Sequence, residues 1–367
     1  MSQTSEYATF TAARPRRVLV ATNHLQRISG SEVVALEAIE HFRAAGCDVT
    51  VFANWIGAPM RRVVEKAAGR AIITDPAAIR PFTYDIAYVQ HQVLGLLDYE
   101  AGPDDVEATM IAIGRLSRRA FLESGGWLHD RLLANLVLAN SELTAQHLKD
   151  VGGEGRVVSF HNGAPDTFFA PYRPRPSRPG RIIAVTNHRD PALLAALDGL
   201  ADHAKVHHFG RSGEKVRRMT PHIIAKADLV ISIGKTVPYA LAGRIPVYVY
   251  DHFGGPGYLT PENRDRAALF NFTGRCSERK LAGRELIDDI LGGYRIGNDF
   301  ARDVPDAWLR RYRLSDHLDR MFEPPLVSNA EKRARMKASP FLAQERMLSD
   351  YVRASYQREQ RVEAKRR

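Results

Sequence analysis

Gly234-Lys235-Thr236, inside the stretch "LVISIGKTVPYALAGR" (229–244), is a residue set suited to holding phosphate. Glycine lets a backbone come close, lysine carries a full positive charge and threonine offers a hydroxyl. In a nucleoside-triphosphate loop these three residues close the pattern G-x-x-x-x-G-K-[ST], whose first glycine lets the loop curl around the phosphates. Here that first position is Leu229, inside an apolar strand-like run, and Ser232 and Ile233 leave no room for the curl. Triphosphate-loop chemistry is therefore excluded. A buried strand ending at Gly234 and a helix starting near Lys235 remain. A helix N-terminus presents unpaired N–H groups and a partial positive charge, which suit a phosphate. A bound diphosphate is one reading of this junction; a plain strand-to-helix turn with an exposed lysine is the other.

Histidines suggest a second chemistry. His203, His207 and His208 lie close in sequence, but His207 and His208 are neighbours on a strand and so point to opposite faces. They are not read as metal ligands, and no metal is expected. Tyr248 and Tyr250 alternate along another strand and read as packing residues.

The hydrophobic pattern supplies a scaffold for these residues. "RRVLVATNH" (16–24) reads as a strand, and in "EVVALEAIEHFRAAG" Val33, Val34, Leu36, Ala38, Ile39 and Phe42 line one side of a helix. Gly46 stops that helix and "CDVTVFAN" follows as a strand, making a βαβ unit. "YDIAYVQH" (84–91), "LANLVLANS" (133–141) and "GRVVSFHNG" continue the strands, with "ELTAQHLKDVG" as a helix between the last two. "APYRPRPSRPGR" (170–181) is too rich in proline for helix or central strand and reads as a linker. The pattern then restarts with strands "RIIAVTNHRD", "AKVHHFG", "DLVISIG" and "IPVYVYD". Between them, "PALLAALDGLADH", "EKVRRMTPHIIAKA" and "KTVPYALAGR" read as helices. Both halves open with an apolar run ending in Thr-Asn-His, at Val18–His24 and Ile182–His188. The expected fold is α/β. Two Rossmann-like, doubly wound parallel-sheet domains face a cleft, with boundaries at 1–169, linker 170–180, 181–328, and a helical basic tail at 329–367.

Composition sets the outer limits. The 367 residues are 44% hydrophobic and 26% charged, as in a globular protein of two domains. No long uncharged apolar run and no apolar leader stands out, and two distant cysteines, Cys47 and Cys276, fit a reducing compartment. A cytoplasmic location is expected. The net charge of +10 points to anionic partners, and much of it lies after residue 330. That tail reads as a solvated polar helix, or as a peripheral contact with the inner face of an anionic membrane. No zinc motif or basic strand interleaved with aromatics supports nucleic-acid binding.

Several stretches resemble family-4-type glycosyltransferases of the GT-B fold. "LVLANSELTAQHLKDVGGEGRVVSFHNGAPDTFF" is similar to the end of that family's N-terminal domain, through Asn140-Ser141, Asn162-Gly163, Asp166 and Phe169. "ISGSEVVALEAIEHFRAAGCDVTVFA" resembles its first loop and helix, and "KADLVISIGKTVPYALAGRIPVYVYDHFGGPG" its donor-nucleotide region. The resemblance spans roughly residues 16–295 in element order. The family's two glutamates, with seven residues between them, are absent: Ile231 and Tyr239 stand in their places.

The resemblance implies a nucleotide-sugar donor, UDP- or GDP-linked, used as substrate with no cofactor, and a glycan or lipid-linked acceptor. It also implies retention of anomeric configuration. Arg189 matches the family's arginine after the first strand of the second domain; Lys235 or Arg211 would supply its missing lysine. Charge on the leaving diphosphate would be met by Arg189, Arg211, Lys235 and the amides near Thr236. Asn187 lies at the cleft edge, Gly30 and Ser31 face the phosphates, and Gly234, Gly254 and Gly255 allow close backbone approach. His91 would hydrogen-bond the sugar or acceptor, or serve as a structural histidine. Glu262 would replace the missing ribose carboxylate, or merely cap a helix. Two other activities fit less of the sequence: a nucleotide-sugar epimerase on the same architecture, and a non-enzymatic polyanion-binding protein.

Overall fold

The computed structural model describes residues 15–117, 123–150, 156–211, 213–325 and 327–365. Two sheets organise them. The first contains β1 (Arg17–Leu25), β2 (Asp48–Ile56), β3 (Ile86–Gln90), β4 (Met110–Arg115), β5 (Leu136–Ala139) and β6 (Arg156–Ser159). Their order is β2-β1-β3-β4-β5-β6 and every pairing is parallel. The second contains β7 (Arg181–Val185), β8 (Lys205–Phe209), β9 (Leu229–Ser232), β10 (Val247–Asp251) and β11 (Gly254–Tyr258), in the order β11-β10-β9-β7-β8. Only β11 runs antiparallel.

Both sheets are covered on both faces, and alternate side chains show it. In β1, Val18 and Val20 enter one core while Leu19 and Ala21 enter another. In β9, Val230 enters one core and Leu229 and Ile231 the opposite one. A strand buried on both faces has to be apolar without alternation, so these segments are legible as continuous runs. Leu229 is fully buried mid-sheet, as its exclusion from a phosphate loop requires. The linker carries no regular element and is tied down by bonds such as Arg175 to the Ala227 carbonyl, 2.6 Å.

Each sheet reverses its direction of growth once, between β1 and β3 and between β7 and β9. Ligands of open α/β sheets bind beyond the carboxyl ends of the strands at that point. After β7 and β9 come Asn187–Arg189 and Ile233–Thr236, so topology places these two loops side by side. The Ser232 hydroxyl, donating to the Val185 carbonyl at 2.7 Å, ties the two strand ends together.

Several features differ from the sequence expectation. β4 was not anticipated. Residues 214–227 are helical only at Pro221–Ile224, because Pro221 fixes the first helical position and Thr220 caps it. The chain also returns to the first domain before residue 328: Leu314, Leu318 and Met321 belong to the core built on β1. The helices Asn329–Ala338 and Leu342–Lys365 therefore lie on the first domain, the second of them bonded to it from Arg346 to Glu363.

Candidate functional site

A cavity of about 280 Å³ lies between the domains, at the reversal point of the second sheet. The second domain lines it with Asn187, His188, Gly210, Arg217, Lys235 and Thr236. The first domain contributes Ile28, Ser29, Gly30 and Val33 from the start of its first helix, Gly30–Ala44. A second cavity of about 380 Å³ shares Ile28, Ser29, Asn187 and Val216 with the first and adds Arg27 and Arg211.

The loop before the first helix is shaped by a buried glutamate. Glu32 is buried, and its Oε1 accepts the Gln26 and Arg27 N–H groups at 2.7 and 2.9 Å. Its Oε2 accepts the Ser29 hydroxyl at 2.9 Å. Burial raises the Glu32 pKa, and the hydrogen bonds it accepts oppose that rise. A signal was present: Ser29-x-x-Glu32 is the spacing of a capping box. Ser29, rather than Ser31, accompanies Gly30 at the cavity wall. A side chain at Gly30 would meet nothing within 4 Å, so the space in front of it is open.

Beneath the cavity lies a charge cluster that joins the domains. Glu37, in the first helix, has a fully buried side chain. Its Oε2 pairs with Lys235 Nζ at 2.7 Å, and its Oε1 accepts the Tyr239 hydroxyl. Lys235 also donates to the Gly163 carbonyl at 2.9 Å. Arg218 lies 4.0 Å from Glu37 and donates two bonds of 2.6 Å to Glu40. Burial pushes the Lys235 pKa down against the pull of Glu37. Burial, then the Glu37 charge, raises the Tyr239 phenol well above its usual value, so it stays a donor. For Arg218, burial works against the charge, but the bonds and charges of Glu40 and Glu37 prevail and raise its pKa. Phe168 stacks on Tyr239 with ring centres 4.2 Å apart. The Lys235 ammonium is thus committed to a partner from the opposite domain.

The remaining arginines differ. Arg189, Arg211 and Arg217 are exposed, and no described carboxylate pairs with them. Arg211 and Arg217 line the two cavities; Arg189 follows His188 on the same loop without lining either. Thr236 lines the first cavity, while Gly234, at φ 58°, does not and donates to the Phe272 carbonyl at 3.2 Å.

Other expected residues lie elsewhere. His91, at φ 62°, is buried below the strand ends of the first domain, outside both cavities. Its Nδ1 accepts the Asn23 N–H at 3.3 Å, and its ring stacks on His24 at 5.2 Å. Tyr356 of the C-terminal helix stacks on the other side of that pair, 5.7 Å from His24. Burial lowers the His91 pKa well below 6.5, so the ring is neutral. Gly254 and Gly255 lie in β11. A side chain at Gly254 would strike the Arg279 carbonyl and one at Gly255 the Val249 carbonyl, so these glycines serve close packing of the β10–β11 ribbon. Glu262 is exposed beside Thr260, away from the cavities between the domains.

No protein-family model and no curated protein sequence matches the chain. Among solved structures it is similar to WaaG, a glycosyltransferase involved in lipopolysaccharide biosynthesis (11% identity, 83% of this chain and 100% of that one covered, TM-score 0.48). It is also similar to a glycosyltransferase from Rickettsia africae (11%, 88% and 100%, TM-score 0.47). A third similarity is to a protein from Listeria monocytogenes assigned as a UDP-N-acetylglucosamine 2-epimerase (13%, 84% and 95%, TM-score 0.46). Likenesses of this size carry no argument about activity, and the two-domain architecture rests on the strand order and pairing above.

Proposed function

We propose that this chain transfers a sugar from a nucleoside-diphosphate sugar, UDP- or GDP-linked, to a glycan or lipid-linked acceptor, with retention at the anomeric carbon. One observation carries the reading. A cavity walled by both domains lies at the reversal point of the second sheet, with cations at its rim that no described carboxylate pairs with. Glu37 and Glu40 already balance Lys235 and Arg218, so a diphosphate's charge falls to Arg189, Arg211 and Arg217, helped by the backbone around Thr236.

In the proposed step the bond between the anomeric carbon and the diphosphate oxygen breaks, and its electron pair leaves with the phosphate. The acceptor hydroxyl oxygen bonds to the same carbon and its proton passes to the departing phosphate. Cations fixed around that oxygen stabilise the charge that builds there. Lys235 acts from behind, positioning the turn after β9 through its ties to Glu37 and Gly163.

The test is acceptor-dependent release of nucleoside diphosphate, after thermal-shift screening of UDP, GDP, ADP and their sugars has chosen the donor. Arg189→Ala and Arg211→Ala should each weaken donor binding by roughly tenfold or more, as expected when a charged hydrogen bond is lost. If both leave donor affinity and transfer rate unchanged, the phosphate site is wrong. Conversion of the donor without any acceptor would replace transfer by epimerisation.

A further inference from the structure

The C-terminal helix, Leu342–Lys365, is amphipathic in an inverted sense. Its inner face meets the first domain mainly through polar groups. Arg346 donates to the Leu97 carbonyl (3.3 Å), Arg353 to Asn54 Oδ1 (3.0 Å) and Gln357 to the Asn54 carbonyl (3.1 Å). Gln360 accepts from Gln26 (2.7 Å), and Glu363 pairs with Arg27 (2.6 Å). Leu342 and Tyr356 pack inward, but the large apolar side chains that stay exposed point the other way. Of the eight large hydrophobic side chains exposed among the described residues, five fall between 341 and 362. Scattered exposed apolar groups need no explanation, but this concentration does. Met347 (72% exposed), Leu348 (49%) and Tyr351 (66%) follow the spacing of one helix side, and Phe341 (69%) directly precedes the helix. Arg358 and Arg361 continue that side two turns on, both exposed, and the sequence closes on Lys365-Arg366-Arg367.

We propose that this outer face rests on an anionic lipid surface, its apolar turns at the boundary between headgroups and acyl chains and its basic end beside the lipid phosphates. Charge selects the occupant. From residue 329 onward the sequence has eleven Lys and Arg against five Asp and Glu. A second copy seated face to face would set basic end against basic end when parallel, and basic end against apolar turns when antiparallel. The patch is also small: four side chains expose on the order of a few hundred Å², below the ~800 Å² per partner of a stable protein pair. A bilayer surface accepts apolar and basic groups from the same helix face. No described helix is long and apolar enough to cross a membrane, so the contact lies along the surface. Because Gln360 and Glu363 hold Gln26 and Arg27, the docked helix would continue directly into the loop that walls the cavities.

The full-length protein is sedimented with vesicles of phosphatidylcholine alone and with vesicles of equal parts phosphatidylcholine and phosphatidylglycerol. Binding should need the anionic lipid and weaken with salt. Met347→Gln/Leu348→Gln/Tyr351→Gln should lower the partition coefficient by at least about tenfold, since exposed apolar groups lose their burial. Arg358→Gln/Arg361→Gln should lower it about fivefold per arginine. Both variants should melt with the wild type, because neither face residue set holds the fold. Binding that ignores lipid charge, or survives both variants, overturns the proposal. So does a concentration-dependent dimer that the triple variant dissolves while vesicles stay unbound. Nucleoside-diphosphate binding, measured on the same samples, keeps failure here separate from failure of the sugar-transfer reading.

Discussion

Replacing Glu37 tests whether the two domains are held by charge. Glu37→Gln keeps the shape of the side chain and removes its charge from a site with no solvent access. Lys235, whose side chain is only 10% exposed, is then left with the Gly163 carbonyl as its charge-stabilising neighbour, and Arg218 keeps Glu40. Breaking a buried ion pair by removing one partner costs about 3–5 kcal/mol, because the survivor stays desolvated. The Tyr239 hydroxyl retains an amide oxygen to donate to, which places the expected loss toward the lower end of that range. Lys235→Met should cost a similar amount, since it leaves Glu37 facing Arg218 at 4.0 Å and Tyr239. The double variant leaves neither charge uncompensated. Urea unfolding of the four proteins should therefore show a coupling energy of about 1–3 kcal/mol between the two sites. Additive losses, with coupling under about 0.5 kcal/mol, would refute a Glu37–Lys235 tie between the domains. A single loss below about 1 kcal/mol would show that Glu37 is solvated in solution.

Two further perturbations follow from buried titratable groups. Glu32→Ala frees the Gln26 and Arg27 N–H groups, and donor affinity by calorimetry should fall about tenfold as the cavity wall loosens; unchanged affinity would remove Glu32 from the site. Burial depresses His24, His129 and His161 to about 4, so between pH 6.5 and 4 the unfolded chain binds more protons and stability falls with acidity. Each of these histidines should contribute up to about 1.4 kcal/mol per pH unit in that window, and a flat urea midpoint from pH 7 to pH 5 would show that they are solvent-open.

What the sequence disclosed, and what it withheld, divides along physical lines. Apolar runs such as Val18–Ala21 and Leu229–Ile231 announce doubly covered strands because no polar side chain fits on either face. β4 escaped because its apolar run, Met110–Ile113, is short and follows an acidic, proline-containing stretch. β11 is Gly-Gly-Pro-Gly-Tyr, a composition that strands avoid. It forms at the sheet edge because β10 offers free backbone groups and the glycines admit close contact with Arg279 and Val249. Buried charged residues were less legible. Glu32 and Glu37 sit in a helix whose apolar positions alone mark its inner side, yet both are buried because their partners come from a loop and from the other domain. Periodicity reports which side of a helix is apolar; it carries no information about a counter-charge some 200 residues away.

Tyr239 illustrates the same limit and also accounts for a departure from the family that the sequence resembles. A glutamate at this position would point its carboxylate at Glu37, which already lies within hydrogen-bonding distance of the Tyr239 hydroxyl. Two carboxylates sharing a buried site cannot both ionise without a large penalty. The phenol removes the conflict by donating to Glu37, while its ring packs on Phe168 and lies 5.2 Å beneath the Lys235 ammonium. Tyr239 and Glu37 are therefore one coupled choice. A chain that uses the carboxylate of its first helix to join its domains has no room for a second carboxylate across the interface. If the chain takes a nucleotide sugar, as proposed, the contacts that a ribose makes must come from other groups along the cavity wall, where Asn187, His188, Arg217 and Thr236 are among the polar side chains the second domain presents.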